Sequence, residues 1–190
     1  MSSRGRNQVR IIAGTWRGRR LRFADGPGLR PTADSNRETL FNWLQPLLPG
    51  SHCLDLFAGS GALGLEAASR GAASVLLVER NRKAAAQLRD NVGLLQAGDR
   101  VRVHNGDAVA LLRGPGHPVD VVFLDPPFAG DLLEPACRAL AAGDWLRAGT
   151  RIYVEHARQH APPVPGDWHE LRARTAGDAT MRLFAVAGGD

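Results

Sequence analysis

The chain has 190 residues, 44% of them hydrophobic and 23% charged, with a formal net charge of +5. That length suits one domain with a sizeable core. No apolar run approaches the roughly 18 residues of a membrane-spanning helix, so no membrane partner is expected. Cys53 and Cys137 have no metal-ligand spacing and read as core thiols of a reducing cytoplasm. His156 and His160 could share a helix face, but Pro162 and Pro163 follow at once, and no metal site is expected. The charge is unevenly placed: residues 1–40 carry nine arginines against Asp25, Asp34 and Glu38, leaving the remainder near neutral. A basic segment on a near-neutral domain points to a polyanion, here nucleic acid.

Residues 1–9 are polar and basic, with no apolar core of a signal peptide, and read as disordered. Segments 10–13 and 20–23 read as short strands around a basic turn that holds Trp16, Arg17 and Arg19. Pro27 to Pro31 reads as a linker. Ser35-x-x-Glu38 reads as a capping box opening a helix whose apolar face is Leu40, Phe41, Leu44 and Leu47, ended by Pro49-Gly50. The chain thus divides at residue 50 into a basic hairpin-and-helix extension, 1–50, and a main domain, 51–190.

From residue 51 strands and helices alternate. Strands are expected at 52–57, 74–79, 101–105, 119–125 and 150–155, and helices near 62–70, 81–96, 107–113 and 131–142. Val75-Leu76-Leu77-Val78 and Val121-Val122-Phe123-Leu124 are continuous apolar runs, as in sheets covered on both faces. The fold class is therefore α/β, a doubly wound, mostly parallel, Rossmann-like sheet. Segments 168–174 and 181–186 flank Gly177-Asp178 with no room for a crossover helix, so a C-terminal antiparallel hairpin closes the sheet.

The chemistry centres on Asp55-Leu56-Phe57-Ala58-Gly59-Ser60-Gly61-Ala62-Leu63-Gly64. Glycines at that spacing let a strand turn into a helix and let a ligand approach the backbone. Dinucleotide folds share the spacing, but Asp55 would repel a pyrophosphate and suits the cationic amino group and sulfonium of S-adenosylmethionine (SAM). Glu79, followed by Arg80, closes the second strand and can accept from ribose hydroxyls. Asp107, before Ala108, either accepts from the adenine amine or caps the next helix.

Asp125-Pro126-Pro127-Phe128 ends the fourth strand beside the first, where doubly wound sheets open a crevice. Paired prolines stiffen the loop. The Asp125 carboxylate and Pro126 carbonyl can hold the two N–H bonds of a nucleobase amine while Phe128 stacks on the base.

Arg10-Ile11-Ile12-Ala13-Gly14-Thr15-Trp16-Arg17-Gly18-Arg19, Arg30-Pro31-Thr32, the stretch Arg37-Glu38-Thr39-Leu40-Phe41-Asn42-Trp43-Leu44, residues 55–66 and Asp125 to Phe128 together resemble the RsmD family, nearly throughout the chain. These are bacterial methyltransferases of the N2 amine of a guanine in 16S ribosomal RNA. Ser35-Asn36 departs from the family where a basic residue is expected. The resemblance implies catalysis by Asp125, Pro126, Pro127 and Phe128. It implies SAM binding by Asp55, Phe57, Ala58, Gly59, Ser60, Gly61, Gly64, Glu79, Arg80, Asp107 and Ala108, and RNA binding by Arg10, Trp16, Arg17, Arg19, Arg20 and Arg37. The expected protein is a cytoplasmic monomer acting on 16S rRNA, free or within an assembled small subunit. An adenine-N6 or cytosine-N4 nucleic-acid methyltransferase and a dinucleotide-dependent oxidoreductase are the alternatives.

Overall fold

The computed structural model describes residues 7–24, 34–128 and 130–188. In chain order the elements are β1 (Gln8–Arg10), β2 (Arg20–Arg22), α1 (Asp34–Leu44), β3 (His52–Asp55), α2 (Ala62–Ser69), β4 (Ser74–Glu79), α3 (Arg82–Leu94), β5 (Val101–Asn105), α4 (Ala108–Leu112), β6 (Val121–Leu124), α5 (Leu133–Ala142), β7 (Arg151–Ala157), β8 (Trp168–Ala176) and β9 (Ala179–Val186). Seven strands form one sheet in the order β5-β4-β3-β6-β7-β9-β8. The first five are mutually parallel, while β9 runs antiparallel to both β7 and β8. The order reverses between β3 and β6, so their carboxyl ends diverge into a crevice.

Alternation along the strands sends side chains to two cores. Cys53, Val75, Leu77, Phe123, Tyr153 and Leu183 face one core with α1, α2 and α3, and Leu54, Val78, Leu124, Val154 and Phe184 face the other with α4 and α5. Phe41 of α1 meets Phe123, which meets Tyr153 edge-on at 6.4 Å between centroids. The extension joins the first of these cores. Val9, Ile11, Trp16, Leu21 and Phe23 are buried in the same cluster as the sheet residues. Each such side chain contributes about 1.5–3 kcal/mol, so apolar packing contributes to seating the hairpin, whose arginines remain at the surface.

The extension differs locally from the expectation. β1 begins at Gln8, so residues 8 and 9 are ordered strand, paired with Arg22 and Leu21. α1 begins at Asp34, which puts Ser35 and Glu38 inside the helix and removes the capping box they suggested. The helix ends at Leu44, and Leu47 falls in the following turn, 39% exposed. The linker around residues 27–31, with Arg4, Arg6 and Arg30, lies outside the described residues.

Candidate active site

The glycine loop is built by β3 and its neighbours. The Leu56 amide donates to the Phe123 carbonyl and the Ala58 amide to the Val78 carbonyl, so the chain leaves the sheet pinned from both sides. Gly59 and Gly61 take φ of 50° and 79°, in the left-handed region that a side chain disfavours. Gly64 is small for a different reason: a Cβ there would stand 2.2 Å from a Leu77 methyl and 3.1 Å from Asp55 Oδ2. The close approach leaves the Gly64 amide 3.0 Å from that same carboxylate oxygen, which accepts its hydrogen. Ala58 and Ser60 are buried and Phe57 half-buried, so these positions shape the loop.

Asp55 is 1% exposed, and its Oδ1 has no hydrogen-bond partner among the described residues. Burial pushes its carboxyl up from 3.8 to about 7, against the lowering effect of the Gly64 and Phe57 amides and with a further rise from the Glu79 charge. A folded-state value above the unfolded one favours the native state at low pH. That contribution is lost as pH rises from about 4 to about 7. Urea unfolding at pH 5 and pH 8 should therefore show a stability loss at the higher pH that is smaller in Asp55→Asn than in wild type. Equal losses in the two proteins would assign the pH dependence elsewhere.

Glu79 closes β4 with Oε2 accepting the Gly59 amide at 2.9 Å and Oε1 accepting the Asn81 amide at 2.7 Å. An ionised carboxylate has about four acceptor positions, so these two bonds orient the group without exhausting it. Arg80 is exposed. Asp107 is the N-cap of α4, its Oδ1 accepting the Ala110 amide at 2.9 Å, and Ala108 begins the helix. The capping role is thus seen directly, and the side chain stays exposed at the crevice end of β5.

Across the switch point, Asp55 and Phe123 are register partners. Asp125, two residues beyond Phe123, returns to the same sheet face at the strand end. Asp125 is half-buried, Pro126 buried and Pro127 exposed, while Phe128 presents 50% of its surface to solvent. A large aromatic left exposed on a stiff loop is a free stacking platform. On β7, the strand beside β6, stand two groups that the sequence reading missed. The Tyr153 hydroxyl donates to Glu155 Oε2 at 2.5 Å, both residues being buried. Burial holds the phenol well above its usual 10, helped by the charges of Glu155 and Asp125, and burial also raises the Glu155 carboxyl. A Glu-His pair ending the apolar run Ile152-Tyr153-Val154 was the available signal.

The arginines expected to bind RNA separate into two groups. Arg17, Arg19 and Arg20 are exposed, and Arg10 is exposed with Asp34 at 3.7 Å. The turn carrying Arg17 and Arg19 is fixed at the carboxyl end of α2. There the Thr15 amide donates to the Ser69 carbonyl and the Trp16 amide to Ser69 Oγ. Eight helical residues separate it from the glycine loop, about 12 Å. Trp16 and Arg37 do not face solvent. Trp16 is 7% exposed, packed in the core with the Arg100 guanidinium 4.8 Å from its ring. Arg37 is fully buried, and its Nη2 donates to the Arg10 carbonyl at 2.8 Å and to Asp34 at 2.6 Å. Neither can reach a phosphate or a base as it stands, so both side chains are structural and not the RNA contacts expected from the sequence.

No group of three or more His, Cys, Asp or Glu among the described residues is placed to hold a metal ion. A cleft of about 300 Å³ lined by Ser51, Asp120, Arg147 and Arg151 lies at the amino end of the strands, remote from the loops above.

A mostly parallel sheet closed by an antiparallel strand, with a glycine loop and an Asp-Pro-Pro-Phe loop flanking its switch point, defines a Rossmann-like methyltransferase. Comparison with known proteins narrows this. The family model described as conserved hypothetical protein 95 matches residues 9–185. Ribosomal RNA small subunit methyltransferase D of Escherichia coli K12 is 48% identical over 181 residues, covering 95% of this chain and 91% of that protein. Its Haemophilus influenzae counterpart is 43% identical, covering 94% of each. The solved structure of yhhF from Escherichia coli superposes with a TM-score of 0.87 at 47% identity, over 96% of this chain and 99% of that one. The chain belongs to this family, that of the ribosomal RNA small subunit methyltransferase D proteins. More distantly, a tRNA1(Val) (adenine(37)-N6)-methyltransferase of Shigella boydii is 34% identical over 85 residues, 44% of this chain and 35% of that protein.

Proposed function

We propose that the protein transfers a methyl group from SAM to the exocyclic N2 amine of a guanine in 16S ribosomal RNA. The observation that carries this reading is the placement of the Asp125-Phe128 loop one strand from the glycine loop, across the switch point. The cofactor fits the residues present: Asp55 braces the glycine loop from beneath through the Gly64 amide, and Glu79 is oriented by two backbone amides. Gly59 and Gly61 admit backbone approach, and the exposed Asp107 can accept from an adenine amine. SAM supplies an electrophilic methyl group on a sulfonium. The protein supplies the orientation of the attacking amine. That nitrogen delocalises its lone pair into the base and is a weak nucleophile. Acceptance of its two N–H bonds by the Asp125 carboxylate and the Pro126 carbonyl aims the lone pair, and stabilises the positive charge that grows as the new bond forms. Phe128 holds the base by its face, which requires the guanine to be unpaired or flipped out.

The test is to incubate the protein with labelled SAM and rRNA, small subunits or DNA, then digest to nucleosides. N2-methylguanosine from the ribosomal substrates is expected, and label only in methyladenosine or in DNA would overturn the reading. A saturating concentration of SAM or of its demethylated product should raise the melting temperature by mass action, by a few kcal/mol of added stability at about 100 times Kd. A shift with NAD alone would instead favour an oxidoreductase.

Arg10, Arg17, Arg19 and Arg20 are the surface arginines offered to RNA. Each phosphate contact should make log affinity fall with log salt by about 0.7–0.9. Replacing Arg17, Arg19 and Arg20 with alanine should flatten that slope by roughly two to three and raise KM at unchanged kcat. A salt titration of RNA affinity checks this, and an unaltered slope would move the RNA site away from the turn.

A further inference from the structure

An Asp-Pro-Pro-Phe loop does not by itself choose its base, because guanine, adenine and cytosine all carry an exocyclic amine. The ring nitrogen beside that amine does distinguish them. In adenine and cytosine it is an acceptor; in guanine alone it is a donor, N1–H. A site selective for guanine therefore needs a second acceptor next to the group that holds the amine.

Glu155 stands in that position. Register pairs Phe123 with Tyr153 and Leu124 with Val154, so Glu155 follows on β7 where Asp125 follows on β6, on the same sheet face. The cofactor-side residues Asp55 and Glu79 belong to β3 and β4, on the opposite side of Asp125 in the strand order. Glu155 therefore stands beside Asp125 on the side away from the cofactor-side strands.

The chemistry of Glu155 agrees with this placement. It is 6% exposed, and the Tyr153 hydroxyl donates to its Oε2. Among the described residues no arginine, lysine or histidine forms an ion pair with it. A carboxylate kept in an apolar strand without a cation is costly to the fold, which marks it as a functional group.

We propose that Glu155 is the residue that selects guanine, its carboxylate accepting the N1–H while Asp125 and the Pro126 carbonyl take the N2 amine. Adenine or cytosine would set a ring acceptor against that carboxylate and leave it unpaired. Tyr153 is a positioning residue, acting through Glu155. This inference rests on the guanine-N2 reading above.

The experiment uses two RNAs that differ only at the mapped methylation site, one with guanine and one with 2-aminopurine. The analogue keeps the amine on C2, but its N1 is an acceptor without hydrogen. Wild type should prefer guanine in kcat/KM by about 10–100-fold, the loss expected for one hydrogen bond to a charged group. Glu155→Gln can turn its amide N–H toward an acceptor, so it should lose activity on guanine, gain on 2-aminopurine, and lower the ratio at least about tenfold. Because both substrates are compared in one preparation, the ratio does not depend on how much of the variant is folded. A Glu155→Gln ratio equal to that of wild type would overturn this role while leaving guanine methylation intact. Absence of guanine methylation in wild type would overturn both.

Discussion

Asp125→Ala is expected to bind the demethylated cofactor like wild type and to turn over about 10²–10³-fold more slowly, the loss measured when one preorganised polar group is removed from a transition state. The asymmetry follows from when the carboxylate is needed. In the ground state the amine is nearly neutral and planar, and its N–H bonds are satisfied almost as well by water. As the methyl bond forms, positive charge gathers on that nitrogen, and a fixed negative acceptor beside it is worth most at that moment. The deficit should therefore fall on kcat and on kcat/KM together. Asp125→Asn should lie between, since its carbonyl still accepts but carries no charge. Phe128→Ala should show the opposite division: its ring is half exposed, so the change costs base binding and raises KM with little effect on folding. Single-turnover kinetics on small subunits would separate the cases, and an unchanged rate in Asp125→Ala would remove Asp125 from the chemistry.

The parallel sheet was legible because β4 and β6 carry apolar runs and turn residues separate the alternating segments, and β4 and β5 fall at the expected positions. The C-terminal hairpin was legible for a different reason: Gly177, with φ of 59°, is the residue type such a turn requires. The turn at the glycine loop was readable because a few consecutive residues encode local backbone shape. Arg37 was not readable. An arginine on a helix within a basic segment has every local mark of a solvent-facing cation, and only a partner distant in sequence reverses that. Two such partners are the Arg10 carbonyl at 2.8 Å and Glu66, 29 residues away on α2, at 3.8 Å. Trp16 was misplaced in the same way, since its burial depends on Ser69 and Arg100. Glu155 went unseen because strand register, not sequence spacing, sets it beside Asp125. Periodicity reports which face of an element is apolar, but not which residue of another element it meets.

Glu66 is the residue on which the extension depends, and Glu66→Gln is expected to cost about 3–5 kcal/mol, the range for removing one member of a buried ion pair. Its carboxylate is fully buried and accepts from the Ile12 amide at 2.7 Å, the Ala13 amide at 3.0 Å and Arg70 Nε at 2.7 Å, with Arg37 Nη1 at 3.8 Å. Glutamine keeps the volume but puts an N–H₂ where one of these donors already points, and leaves two buried guanidinium groups with less compensation. Arg37→Met should cost less. Glu66 would keep its three shorter bonds, and the methionine would fill the space while the Arg10 carbonyl lost one donor. For a chain of this size the Glu66→Gln loss corresponds to a fall in melting temperature of roughly 10 °C. The damage should also be local before it is global. The Ile12 and Ala13 amides should lose hydrogen-exchange protection in Glu66→Gln while those of β4 and β6 keep theirs, because the carboxylate accepts both amide hydrogens. Urea unfolding with hydrogen exchange measures both effects. Wild-type stability in Glu66→Gln, with Ile12 and Ala13 still protected, would mean that apolar packing alone holds the extension against α2.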